Sequence, residues 1–244
     1  MPAILPPSAA PRRPLGLPAR LIGVLTAPRA TYADVAARPT WLGVFLVVLA
    51  ASLASTVWIL STEVGRRAVV DQQLQTLEAF GRTVSDEEYQ RMLRMAPYSG
   101  YLIAATQIIG LPVTVTVVAG MAFGIFNGVL GDNAAFRPVF AVVMSSSVVS
   151  AVRALFSTPL NYARESLSNP TTLAAVLPLF GNDTFGGRLL GSIDLFLIWW
   201  VLNLAIGLSV LYKRPTAPIA TTMLALYGAI GLTIAAVRSA LAGA

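Results

Sequence analysis

The feature that most constrains this chain is the stretch 192–214, SIDLFLIWWVLNLAIGLSVLYKR. It is about one membrane crossing long, ends in the basic pair Lys213–Arg214, and carries one acid, Asp194, near its start. Hydrocarbon offers no water to backbone N–H and C=O groups, so a spanning segment must bond them internally, as a helix does. Fourteen of residues 189–211 are Leu, Ile, Phe or Val. Each favours insertion by roughly 0.3–0.6 kcal/mol, against about +3 kcal/mol for a central acid, so the helix inserts despite Asp194. Four other stretches are long and apolar enough to cross: 41–60, 98–131, 136–157 and 216–237. Charged residues are only 11% of the 244, under half of the ~25% usual in soluble domains. The expected fold is an all-α membrane protein with five transmembrane helices and an external helical hairpin between spans one and two. A single membrane domain over 19–240 follows a disordered Pro-rich tail, 1–18.

The segments between spans read as surface structure. Leu21, Ile22, Val24 and Leu25 form an apolar patch too short to cross, flanked by Arg20 and Arg29. It is expected to lie on the membrane with its arginines toward lipid phosphates. Thr31 is expected to cap a short helix that Pro39 stops. Over 61–97, Val70, Leu74 and Leu77 share one helical face and Gly81 breaks the pattern. Ser85-Asp86-Glu87-Glu88 then reads as a capping box opening a second helix. After span three, Asn169-Pro170-Thr171 is expected to start a short interfacial helix that Pro178 ends.

Polar residues inside spans are the candidate sites. Span three holds Ser146, Ser150, Arg153 and Ser157, which at ~100° per residue fall within about 60° of one another and form a polar seam. Such a seam must face protein or water. Span two carries Gly120, Gly124 and Gly128, a small-residue strip suited to close helix packing, with Asn127 beside it to bond a neighbour. On span four, Asn203 and Gly207 lie roughly opposite Asp194, so that helix is expected to touch protein on both sides, with Trp199 and Trp200 as packing elements.

Five spans put the termini on opposite sides. Arg20, Arg29 and Arg38 precede the first span, and Lys213 and Arg214 occupy a very short turn, which favours a cytoplasmic N-terminus and an outer C-terminus. Arg153 and Asp194 then lie about 8 Å below the same surface at ~1.5 Å per residue. They are the two charged side chains placed within spans, and an ion pair between them is expected, with Ser150 and Ser157 bonding the remaining donors.

The segment LIGVLTAPRATYADVAARPTWLGVFLVV, 21–48, resembles the opening of the Yip-one domain family, the Ypt-interacting proteins. The stretch 192–214 resembles that family's penultimate span, with its Asp-x-Phe-x-x-Trp core at Asp194, Phe196 and Trp199. The resemblance covers roughly residues 20–238 and implies five spans with a cytosolic N-terminus. Eukaryotic relatives associate with prenylated Rab-type GTPases, pair with sister proteins and support vesicle budding. This chain lacks their long acidic, aromatic cytosolic tail, which speaks against GTPase binding. Sixteen of its seventeen basic residues are Arg, a bias of GC-rich genomes, so the chain looks like the bacterial type, resident in the inner (plasma) membrane.

The functional expectation is a non-enzymatic scaffold or adaptor whose partners are membrane lipids, another membrane protein or a second copy. The alternative is a transporter or lipid-translocating protein using the polar seam. The chain has no Cys and no His, which removes thiol and imidazole chemistry and the usual zinc ligands. One buried acid does not make a hydrolytic centre, so no catalytic residue, cofactor or metal is expected. The net charge of +6 is assigned to loops at the membrane surface, with no nucleic-acid partner.

Overall fold

The computed structural model describes residues 14–79, 82–181 and 184–242. Most of the tail expected over 1–18 and the break expected at Gly81 lie outside the described residues. Two short helices, α1 (Leu17–Thr26) and α2 (Pro28–Ala37), precede α3 (Leu42–Ser61). Next come α4 (Glu63–Ala79) and α5 (Asp86–Phe123), the latter running into a π-helical turn, Gly124–Val129. The chain continues through α6 (Phe136–Ser146), α7 (Val148–Ala163), α8 (Leu173–Val176), α9 (Phe185–Ser192), α10 (Leu195–Tyr212) and α11 (Thr216–Ala242). Among the described residues there is no strand, only one isolated antiparallel bridge between Thr172 and Asp194.

Five segments have the length and hydropathy of a crossing: Leu42–Ser61, Gly100–Val129, Phe136–Ala163, Leu195–Tyr212 and Thr216–Ala240. They are not equal partners. In the third, 61% of the most apolar window is buried and in the fourth 44%, against 17%, 17% and 11% in spans one, two and five. Spans three and four are therefore the axis of the bundle, and the other three lean on it with most of their surface facing outward. The core gathers Val139, Val142, Val143 and Met144 of α6 with Leu204 and Leu208 of α10 and Val24, Tyr32 and Val35 from the first two helices.

The first two helices do more than lie on a surface: one face of each packs into the bundle, while Ile22 and Arg29 stay exposed. Tyr32 and Val35 are fully buried and Val24 nearly so. Pro28 starts α2, which needs no capping side chain, and Thr31 sits within the helix, its hydroxyl donating to the Ala27 carbonyl at 3.1 Å. Arg20 is buried and faces no lipid: its guanidinium meets Asp34 at 2.8 Å and also reaches the Arg38 carbonyl at 3.2 Å and Thr40. A buried cation stays only where donors and charge are answered, and Asp34 with three neighbouring oxygens answers them here.

The external hairpin forms from α4 and the first turns of α5. Ser85 and Glu88 make the capping box, the Glu88 N–H donating to Ser85 Oγ at 3.3 Å. Tyr89 donates to Asp71 at 3.0 Å and ties the two arms, a bond that raises the tyrosine pKa by favouring the protonated phenol. Thr62 Oγ1 accepts from the Gly65 N–H at 3.0 Å, and a Cβ on Gly65 would stand 2.1 Å from the Ile59 carbonyl oxygen, so only glycine fits this turn. The second arm is not a separate helix, because α5 is continuous for 38 residues through Pro97 and Pro112, about 57 Å at the usual rise. Each proline removes one backbone bond, yet neither ends the helix. The helix stays α-helical through Gly110 and Pro112, and the irregularity comes later, in the π-helical turn.

Candidate functional site

The polar residues of the membrane segments collect in a few nodes. The first is built around Asp194. Span four does not run unbroken from 189: α9 ends at Ser192, α10 begins at Leu195, and Asp194 stands in the break in extended conformation. Its carboxylate caps α10, with Oδ1 accepting from the Phe196 N–H at 2.8 Å and the Leu197 N–H at 3.2 Å. The other oxygen meets Arg153 at 2.9 Å and the Asn169 amide at 2.7 Å. Four donors thus fill the roughly four lone-pair sites a carboxylate offers. An Asp at this place satisfies helix N–H groups that would otherwise point at hydrocarbon and sits at the positive end of the helix dipole.

The backbone around the acid is closed from two sides. The Leu173 N–H donates to the Ile193 carbonyl at 2.8 Å and the Leu195 N–H to the Thr171 carbonyl at 3.0 Å, forming the bridge. From α11, the Tyr227 hydroxyl accepts from the Asp194 N–H at 2.8 Å and donates to the Ser192 carbonyl at 2.9 Å. The break in span four is therefore filled by a phenol and by the loop after span three. Thr171 and Thr172 are spent on that bridge, so α8 starts at Leu173 instead of 171. Asp194 is 8% exposed at its side chain and Arg153 40%, which leaves part of the guanidinium free of the pair.

The seam of span three is divided by its own geometry. The helix breaks at Ser147, between α6 and α7. Ser145, Ser146 and Ser147 turn their hydroxyls back onto carbonyls of α6 at 2.7, 2.7 and 3.2 Å. Ser150 is exposed, and Ser157 Oγ is buried without a partner. Neither serine serves the Arg153–Asp194 pair; Asn169 and the α10 backbone do. The seam is thus no continuous polar path.

A second node holds the N-terminal helices to span four. Asn203 is buried, accepts from the Tyr32 hydroxyl and donates to the Val24 carbonyl at 2.8 Å. Gly207 lies beside it, and a Cβ there would stand 2.6 Å from Val142 Cγ1 and 2.9 Å from the Tyr32 ring. The third node is at the same end of the bundle. Lys213 adopts the left-handed conformation that ends α10 and is exposed. Arg214 grips Asp132 through two bonds of 2.7 and 3.1 Å and also reaches the Leu130 carbonyl, and the Asp132 bond raises its pKa. Arg29 donates to Thr216 at 2.7 Å, while Arg38 stays half-exposed, 3.9 Å from Asp34. Of the five basic residues expected at the membrane surface, Arg20 and Arg214 are thus held by acids, and Lys213 projects.

The glycine strip faces away from the chain. A Cβ on Gly120, Gly124 or Gly128 would meet nothing within 4 Å, so among the described residues no helix packs there. Gly124 and Gly128 belong to the π-helical turn, and Asn127 donates to the Ala134 carbonyl at 2.7 Å, holding the loop that follows. Phe196 and Trp199 pack as neighbouring rings 5.8 Å apart, with Phe156 of α7 5.5 Å from Phe196. Sequence reasoning missed Tyr32, Asp34, Asp132, Asn169 and Tyr227. Asp34 and Arg38, four apart, were one available signal; the others carry no local pattern, because their partners lie 25 to 171 residues away.

The arrangement serves anchoring: acid against arginine, amide against phenol, each bond joining two elements that the sequence keeps apart. No curated protein and no solved structure matches the chain. The model of one family, described as the Yip1 domain, matches residues 22–237. That match takes in the second half of α1, α2, the first four spans, the Asp194 node and most of the fifth span, and by it this chain is a member of the Yip1 domain family.

Proposed function

We propose that this chain is a non-enzymatic membrane scaffold or adaptor, engaging another membrane protein, a second copy or lipid through its membrane-facing surface. The observation that carries the reading is the contrast between inside and outside. Arg153, Asp194, Asn203 and Tyr32 are engaged in bonds within the chain. Spans one, two and five, in contrast, bury less than a fifth of their most apolar windows. Helices associate in lipid by packing and by polar contacts, and three such peripheral helices offer a large surface for it. The grouping of the N-terminal helices, the Asp132 loop and the Lys213–Arg214 turn at one end fits a cytoplasmic face, in a bacterial inner membrane.

The test is quantitative affinity capture of a tagged copy at native level from gently solubilised membranes. The expected result is one defined membrane protein, or a second copy, in fixed proportion to the bait. Recovery of the chain alone at native level, with no partner after chemical cross-linking in the intact membrane, would overturn the scaffold reading.

A further inference from the structure

The net charge of +6 is not shared between the two ends of the bundle. The segments at the far end, 61–97, 158–191 and the close of α11, hold eight basic residues and eight acids, which cancel. Arg153 and Asp194 cancel within the spans. The end that carries α1 and α2 holds Arg20, Arg29, Arg38, Arg137, Lys213 and Arg214 against two acids, Asp34 and Asp132. It keeps four positive charges, and Arg12 and Arg13 in the tail, outside the described residues, make up the rest.

The two acids answer three of the six cations. Asp34 pairs with Arg20 at 2.8 Å and lies 3.9 Å from Arg38, and Asp132 pairs with Arg214 at 2.7 Å. Arg29, Arg137 and Lys213 are exposed and pair with no acid among the described residues. These three stand at one level. A Cβ on Gly207 of α10 would stand 2.6 Å from Val142 of α6, so those two positions meet. Arg137 is five residues from Val142 and Tyr212 five from Gly207 toward the same end, each about 7.5 Å at the usual rise. Lys213 follows Tyr212 directly, in the left-handed conformation that ends α10. Arg29 donates at 2.7 Å to Oγ1 of Thr216, the first residue of α11.

Three cations free of acids therefore stand where spans three, four and five reach this end. Apolar side chains adjoin them: Phe136 precedes Arg137, and Val129 and Leu130 lie in the loop that Arg214 grips, all three exposed. Cations at the ends of spans sit at the depth of lipid headgroups, with hydrocarbon beside them. A soluble acidic protein or a nucleic acid would answer the charge and leave the apolar rim bare. An anionic phospholipid answers both, with phosphate against the cations and acyl chains against Phe136 and Val129.

We infer that this end of the bundle binds anionic phospholipid, with Arg29, Arg137 and Lys213 holding the headgroup phosphates. The inference rests on the lipid part of the function proposed above and deepens it. Its assay contains no partner protein, so its failure would leave the scaffold reading standing, and the reverse also holds.

The test titrates the full chain in detergent with dioleoylphosphatidylglycerol or dioleoylphosphatidylcholine and reads the dissociation constant of bound lipid by native mass spectrometry. Expected is tighter binding of phosphatidylglycerol, which stays bound when inorganic phosphate is added at equal concentration. Arg29→Gln, Arg137→Gln and Lys213→Gln should each weaken its binding about fivefold, while Arg137→Lys keeps it. Arg94→Gln, at an exposed cation of the charge-balanced far end, should change nothing. Should Arg29→Gln fail to fold for want of its bond to Thr216, the other two variants carry the comparison. Equal affinity for the two lipids, wild-type affinity in the folded variants, an equal loss in Arg94→Gln, displacement by inorganic phosphate, or binding of polyglutamate in place of phosphatidylglycerol would each overturn the inference.

Discussion

Asp194 combines two tasks, and they can be separated by substitution. An asparagine keeps an oxygen for the Phe196 and Leu197 N–H groups but removes the charge facing Arg153; an alanine removes both. Loss of an N-cap costs ~1 kcal/mol, and the pair itself is discounted because Arg153 is 40% exposed. Thermal unfolding in detergent should therefore rank wild type above Asp194→Asn above Asp194→Ala, with about 1 kcal/mol between the variants; equal loss in both would show that the cap contributes nothing. Glycines divide in the same way. Gly207 faces Val142 and Tyr32 at distances a methyl cannot occupy, whereas Gly124 faces open space. Gly207→Ala should destabilise by about 1–3 kcal/mol through overpacking. Gly124→Ala should be neutral or stabilising by up to ~1 kcal/mol, and the two melting shifts read this directly. The sequence marks both residues as small positions on apolar helices, and nothing local tells them apart.

At the scale of elements, the N-terminal pair of helices is the unit whose placement matters most. Its apolar residues, Val24, Tyr32 and Val35, are buried in the bundle core, and its arginine is buried with an acid of the same pair. The amphipathic text of this segment suits a membrane surface equally well; the choice is made by Asn203, a polar group inside span four that needs both a donor and an acceptor. Tyr32→Phe removes the donor and leaves Asn203 Oδ1 buried and unanswered, at a cost of about 1–3 kcal/mol. Hydrogen exchange should then quicken across 17–37 while α10 keeps its protection. Unchanged exchange in α1 and α2 would mean that apolar packing alone holds them. The hairpin of α4 and α5 is different in kind. Its capping box, its apolar face and the tight α3–α4 junction at Gly65 that leads into it are local, and the capping box and apolar face are legible from spacing alone.

For the whole molecule, helix class and the number of crossings follow from hydropathy and length, because hydrocarbon forces every backbone group to be bonded within its own segment. That is a local demand, met or not met by each stretch on its own. The same holds for the capping box at Ser85 and Glu88. What the sequence by itself leaves open is every choice that depends on a distant partner. Spans three and four became the axis because their polar and small residues find partners on α2, α6 and the loop after α7. Asp194 became a helix cap instead of an acid within a helix because Tyr227, thirty-three residues on, fills the break. The glycine strip, which reads as a packing face, is left outside because no helix among the described residues reaches it. In lipid, apolar surface has no preference between tails and neighbouring helices, so hydropathy decides which segments cross, and only the fit of side chains across the bundle decides which of them meet.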